Sequence, residues 1–283
     1  MNRVLSKILH EGSAQLTRKK IESSNLDAQI LLAHVLGLNR LQLFTTDVEP
    51  THEQIVHYQD LLAQRMTGCP VAYIVGYRHF WKSHFKCDPR ALIPRPETEF
   101  LVAKASELSK ILHLDRSRAF QVLDLCTGTG CVGLSLALEH PTWRITLSDV
   151  SQDALELAKE NAKQLGVDAT FIKSDLFESV EGYYDLITAN PPYLNKRETE
   201  RCLSKGWREP EIALNGGRGG VQILKRLIEE GLDYLYVDGI LLWEAAPHQH
   251  PIFEKLLQKL KLPLLGPWKD MNNLDRIWGL QKR

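Results

Sequence analysis

Long apolar runs are missing from this sequence. No stretch approaches the roughly 18 consecutive apolar residues that a membrane-spanning helix needs, and the opening "MNRVLSKILHEG" has no secretory-type apolar core. Cysteine is scarce. The five residues (Cys69, Cys87, Cys126, Cys131, Cys202) are odd in number and include no Cys-x-x-Cys pair, which argues against a disulfide framework and against a zinc site. A surplus of charge is also absent: 35 Lys plus Arg balance 35 Asp plus Glu, so the totals lack the basic excess of a dedicated nucleic-acid binder. These absences point to a reduced, cytoplasmic, metal-free protein. What is present, 43% apolar and 25% charged residues over 283 positions, is the composition of an ordinary globular chain with room for two domains.

The pattern changes along the chain. Residues 1–68 read as a bundle of three or four short helices. "NLDAQILLAHVLG" places Asn25 as a cap and Gly37 as a stop, and "THEQIVHYQDLLAQRMTG" sets Thr51 and Gln54 at capping-box spacing. Residues 69–96 are aromatic and β-branched, and predict an extended hairpin that connects two domains. Pro94 and Pro96 then hold an extended segment before a helix near Glu97. Over 97–283 strand and helix patterns alternate, from "QVLDLC" through "WRITLSD", "ATFIKSD", "YYDLITAN" and "GILLWEA" to "RIWGLQ". Alternation of this kind predicts an α/β domain, a mostly parallel sheet with helices on both faces. Ligands of such sheets bind outside the carboxyl ends of the strands.

"DLCTGTGCVG" follows the first of these strands and opens a helix. Gly128 and Gly130 let the backbone turn tightly and approach a ligand, and with Gly133 they satisfy G-x-G-x-x-G. Asp149 ends the second strand, where a carboxylate accepts from ribose hydroxyls. The loop and the carboxylate together predict a ribose-bearing cofactor. They do not separate NAD from S-adenosylmethionine, and the bland reading is tight helix–strand packing with Asp149 as the next helix's cap.

The fourth strand, "YYDLITA", runs into Asn190, Pro191, Pro192 and Tyr193. Two prolines stiffen the turn and donate no backbone hydrogen bond. The array is therefore rich in acceptors, the Asn190 side-chain oxygen and the Pro191 carbonyl, beside the flat face of Tyr193. Its complement is a planar group bearing an NH2. Such a nitrogen is a poor nucleophile, so positioning must supply much of the rate. The bland reading is a β-turn capped by Asn.

Asn-Pro-Pro-Tyr after the fourth strand, with the glycine loop after the first, resembles the amino-methylating methyltransferases, and within them the HemK family of protein-glutamine methyltransferases. "ALIPRPETEFLV" is similar to that family's Ile-Pro-Arg-Pro-(Asp/Glu)-Thr-Glu segment, "DLCTGTG" to its glycine loop, and "EPEIALNGGRGG" to its Glu-Pro-x-x-Ala-Leu-x-Gly-Gly-x-x-Gly stretch. The resemblance covers essentially the whole chain. It implies a Rossmann-like class I methyltransferase sheet with helices on both faces, preceded by a helical bundle (1–68) and a hairpin linker (69–96). It implies S-adenosyl-L-methionine held by Cys126, Thr127, Gly128, Thr129 and Gly130, with Asp149 on the ribose, Leu176 near the adenine and Asn190 touching cofactor and substrate. Asn190, Pro191, Pro192 and Tyr193 would grip the glutamine of the Gly-Gly-Gln loop of bacterial class I release factors, Asn190, Pro191 and Tyr193 being catalytic. A monomer that makes no direct contact with nucleic acid is expected, and the bundle is either the docking element or a stabilising cap.

Three positions depart from the family pattern. Cys126 replaces the loop's first glycine, Leu176 stands where some members carry Trp, and "WEAAPHQH" lacks the Glu-x-Gly spacing of the fifth strand. Cys126 and Cys131 read as small buried residues and "HQH" (248–250) as a solvated turn. The main rival is a DNA adenine amino-methyltransferase acting on a flipped base; the neutral charge and the lack of a spare base-reading segment weigh against it. A dehydrogenase leaves the four residues at 190 without a role, and a catalytically dead adaptor does not need the acceptor array.

Overall fold

The computed structural model describes residues 3–112 and 118–283. Two compact units emerge. One runs to Tyr77 and takes in Leu203–Arg208; the other comprises Arg78–Cys202 and Glu209–Arg283.

The first unit holds helices α1 (Arg3–Arg18), α2 (Ser24–Leu36), α3 (Gln42–Thr45), α4 (His52–Met66) and α5 (Val71–Val75). Thr51 and Gln54 form the expected reciprocal cap of α4. Asn25 does not cap α2. The helix starts two residues earlier than that cap requires, at Ser24, and the Ser23 hydroxyl bonds Asp27 (2.8 Å), which also accepts from Arg65. Leu5, Leu9, Leu31, Leu32, Leu43, Tyr58 and Leu62 form the core. Val71–Val75, expected to be extended, is helical, and the hairpin is shorter: β1 (Tyr77–Phe80) and β2 (Ser83–Lys86). Pro70 precedes this helix and Gly76 follows it with a left-handed φ of 81°. This is the Pro-before, Gly-after punctuation of a helix, and it outweighs the β-branched content of "VAYIV".

In the second unit follow α6 (Glu99–Leu108), β3 (Gln121–Leu125), α7 (Cys131–Glu139), β4 (Arg144–Asp149), α8 (Gln152–Leu165), β5 (Thr170–Lys173), β6 (Tyr184–Ala189), α9 (Lys196–Ser204), α10 (Gln222–Gly231), β7 (Leu235–Glu244), α11 (His250–Lys259), β8 (Leu265–Lys269) and β9 (Asp275–Gln281). The last residues of α9 belong by packing to the first unit. The seven-stranded sheet has the order β5-β4-β3-β6-β7-β9-β8. Its first five strands are parallel, and β9 runs antiparallel to both neighbours. Side chains alternate between two cores: Val122, Leu186 and Leu242 enter one with Phe80, Phe85, Leu101 and Leu134, whereas Leu123, Ile187, Leu241 and Trp243 enter the other with Leu227 and Phe253. A sheet buried on both faces is what the near-continuous apolar strands require. The strand order reverses at β3, so the carboxyl ends of β3, β4 and β6 adjoin at the switch point where such sheets bind ligands.

Candidate active site

A cavity of about 220 Å³ opens at this switch point. Cys126, Thr127, Gly128, Thr129, Asp149, Leu176, Asn190 and Pro192 all line it, together with Arg95, Thr98 and residues of the 210–215 segment. Of the residues singled out from sequence, Gly130, Pro191 and Tyr193 are not in its wall. Gly130 instead caps α7 with a φ of 80°. Pro191 is buried behind the turn. The Tyr193 ring packs on the core that contains Trp243, and its hydroxyl approaches Glu244 Oε1 at 3.5 Å.

The glycine loop is held from beneath by one carboxylate. Asp124 Oδ2 accepts from Thr127 Oγ1 (2.6 Å) and the Gly133 amide (3.2 Å), and Oδ1 accepts from Thr188 Oγ1 (2.8 Å). Burial pushes the Asp124 carboxyl up to about 6 against the pull of these hydrogen bonds. Gly133 earns its place by contact, since a Cβ there would collide with Leu147 and with Asp124 itself. Asn161, wholly buried on α8, brackets the loop from the side: it donates to the Thr129 carbonyl (2.9 Å) and exchanges two bonds with the Lys86 backbone. Asp149 Oδ2 accepts from the Gly128 amide (2.9 Å) and Oδ1 from the Ser151 amide (2.9 Å), while Ser151 itself caps α8. Burial raises the Asp149 carboxyl, opposed by these amides.

Cys126 and Leu176 both adopt positive φ, 53° and 50°. For residues other than glycine this costs about 1–2 kcal/mol. Cys126 is therefore a wall residue in a strained conformation rather than a buried filler, and its φ explains the glycine that the family pattern puts there. Cys131 is buried, as expected.

At the end of β6 the Asn190 Nδ2 donates to Thr98 Oγ1 (3.0 Å), and the Thr98 hydroxyl donates to Glu244 Oε2 (2.6 Å). Thr98 and Glu244 are buried. Burial drives the Glu244 carboxyl up to about 7 and the Tyr193 phenol higher than usual, each aided by the neighbouring acid. The turn at 190 leans on the segment 209–220. Leu194 N donates to the Leu214 carbonyl (3.0 Å) and Gly216 N to the Leu194 carbonyl (2.8 Å). A Cβ on Gly216 would meet the Pro192 carbonyl at 2.5 Å, and one on Gly220 would strike that of Tyr193. Arg95 Nη2 bonds Glu209 Oε1 (2.5 Å), joining the "IPRPET" and "EPEIALNGG" stretches. The 248–250 stretch is not a solvated turn. Gln249 is buried, its Nε2 donates to the carbonyls of Tyr193 (3.0 Å) and Gly220 (2.9 Å), and His250 Nδ1 accepts from Trp278. Thr98, Glu244 and Gln249 were not singled out as site residues in the sequence, although Thr98 lies in "IPRPET" and Glu244 and Gln249 in "WEAAPHQH", because their partners are far along the chain.

The wall suits a ribose-bearing ligand. Gly128, at positive φ, keeps a Cβ out of the wall, an acid is fixed beside it, and the buried Thr129 Oγ1 has no protein partner. A methyltransferase small domain model matches residues 102–206 and a PrmC N-terminal domain model residues 7–76. The release factor glutamine methyltransferase of Rhodopirellula baltica is 35% identical over 97% of this chain and 95% of its own. The chain belongs to this family. The enzyme of that name from Shewanella oneidensis is 35% identical over 90% of this chain and 88% of its own. Among solved structures, a methyltransferase from Pyrococcus furiosus shares the fold (TM-score 0.50, 18% identity, 70% of this chain and 88% of that one). So does the N-terminal domain of human METTL16 in complex with SAH (TM-score 0.50, 17% identity, 70% and 75%). Membership of the release factor glutamine methyltransferases does not favour the DNA adenine alternative. No helix among the described residues is long and apolar enough to cross a membrane.

Proposed function

We propose that this protein transfers a methyl group from S-adenosyl-L-methionine to the side-chain amide nitrogen of the glutamine in the Gly-Gly-Gln loop of bacterial class I release factors. One observation carries the choice of nitrogen. Asn190 lines the cavity that also contains the glycine loop, and one of its Nδ2 hydrogens goes to Thr98, which turns the amine end toward Thr98 and leaves Oδ1 for a substrate donor. That oxygen accepts a proton of a primary amide and so orients its nitrogen; Pro191, outside the wall, stiffens the turn that carries Asn190. Thr127, Gly128, Thr129 and Asp149 would hold the cofactor, with Leu176 against the adenine. When bound, it supplies an electrophilic methyl on a sulfonium. The amide proton is shed to solvent once the nitrogen has become cationic, so no strong base is needed.

The role of Tyr193 is to brace the turn from the core side, through its ring packing and its approach to Glu244. The test is incubation with labelled cofactor and purified release factor or DNA. One methyl on the release-factor glutamine is expected from the wild type, and Asn190→Ala should lower kcat/KM by at least about 100-fold. Label on DNA alone, or an active Asn190→Ala variant, would remove the reading.

A further inference from the structure

Glu244 is a buried acid with no part in holding the cofactor loop. The register explains why it is there: Ala189 pairs with Trp243, so the next residues along the parallel strands, Asn190 and Glu244, lie side by side, Glu244 still paired with Ile277 of β9. Thr98 arrives from a segment 92 residues before Asn190 and sits between them. We propose that Glu244 and Thr98 are positioning residues that fix which end of the Asn190 amide faces the cavity, and thereby make the site select a primary amide over a carboxylate. This rests on the function proposed above.

The argument is a count of hydrogens. An ionised carboxylate only accepts. Glu244 Oε2 accepts a hydrogen bond from the Thr98 hydroxyl at 2.6 Å. With its one hydrogen spent, Thr98 Oγ1 has only lone pairs left for Asn190, so the amide must turn Nδ2 toward it, as the 3.0 Å bond shows. Oδ1 is then left for the substrate. An NH2 group completes that acceptor, whereas a glutamate side chain would set oxygen against oxygen. Protonation of Glu244 breaks the logic. The acid then has a hydrogen to give Thr98, the hydroxyl hydrogen becomes free for Asn190 Oδ1, and the amide turns its donor end to the cavity. The groups around Glu244 are Tyr193 on the turn after β6, Glu97 beside Thr98, Cys131 at the start of α7 and Arg276 on β9, with Arg95 facing Tyr193. The carboxyl is held up to about 7, so the relay is set above neutrality and lost as pH falls through that value.

The test compares wild type, Thr98→Val, Thr98→Ser and Glu244→Gln, with cofactor affinity measured for each. Substrates are the release factor and a form with its Gly-Gly-Gln glutamine changed to glutamate, from about pH 5.5 to about 9. The wild type should show an acid limb in kcat/KM with its midpoint near 7, and Glu244→Gln should lack that limb. Thr98→Val should lose about 10–100-fold in kcat/KM at high pH and bind the glutamate form more tightly than the wild type does. Thr98→Ser, which keeps the hydroxyl, should stay within about 3-fold. Cofactor affinity should be unchanged throughout. A flat wild-type profile, or a limb that persists in Glu244→Gln, overturns the relay even if Thr98→Val does not fold. A wild type that leaves the release factor unmethylated overturns the proposed function instead.

Discussion

Asp124 and Glu244 are acids that would ordinarily stay in water, yet both are buried around the cavity, at about 6 and about 7. Values above those of the unfolded chain mean that the fold binds extra protons between about pH 4 and about 7. Their contribution to stability is therefore fully present at the acid end and is lost as pH rises through 6 and then 7. Each carboxyl accounts for about 3 kcal/mol. Urea unfolding of Glu244→Gln at pH 5 and pH 8 should show a pH dependence flatter than the wild type's by about that amount. An equal dependence in both proteins would mean that ionising this side chain inside the fold costs nothing.

Between elements, the glycines of "NGGRGG" act through what touches them. Gly220 lies against the Tyr193 carbonyl, which also accepts from Gln249, so the turn after β6 is gripped from two sides. Gly220→Ala should push that carbonyl away and cost about 1–3 kcal/mol of stability. It should lower kcat/KM on the release factor by about 10-fold or more, with cofactor affinity within about 2-fold. Titration calorimetry beside steady-state kinetics separates the two; a parallel loss of cofactor binding would place the damage at the glycine loop instead. Element boundaries were legible wherever caps and periodicity agreed, as at Ser151–Gly166 and Thr51–Met66. Besides α5, two elements of the second unit escaped. The edge strand β8 carries Gly266 and Pro267, which break a strand pattern but are tolerated where no further strand pairs. The polar helix α9 buries only Thr199 and so has almost no apolar stripe to read.

The molecule as a whole has separate cores, one around Leu31, Leu32 and Tyr58, and two on the faces of the sheet. Units with their own cores open independently. Native-state hydrogen exchange at graded urea should therefore sort the slow amides of α2 and α4 into one group and those of β3 and β6 into another, each with its own denaturant slope. A single slope for all of them would mean one cooperative block.

The order of residues was enough to give the alternating α/β domain, the helical segment before it, and the places of the glycine loop, Asp149 and the Asn190 turn at strand ends. Each of these is a local pattern: a periodicity, a cap, or a short motif whose chemistry depends on neighbours along the chain. Only the tertiary structure decided that Thr98 hydrogen-bonds both Asn190 and Glu244, that the Tyr193 ring packs on the core, that Gln249 is buried with its amide on the Tyr193 carbonyl, and that Leu203–Arg208 packs with the first unit. These contacts depend on strand order and register. Thr98 and Glu244 are 146 residues apart, and no periodicity encodes a partner at that distance; the pair meets because α6, which Thr98 directly precedes, packs across β6 and β7.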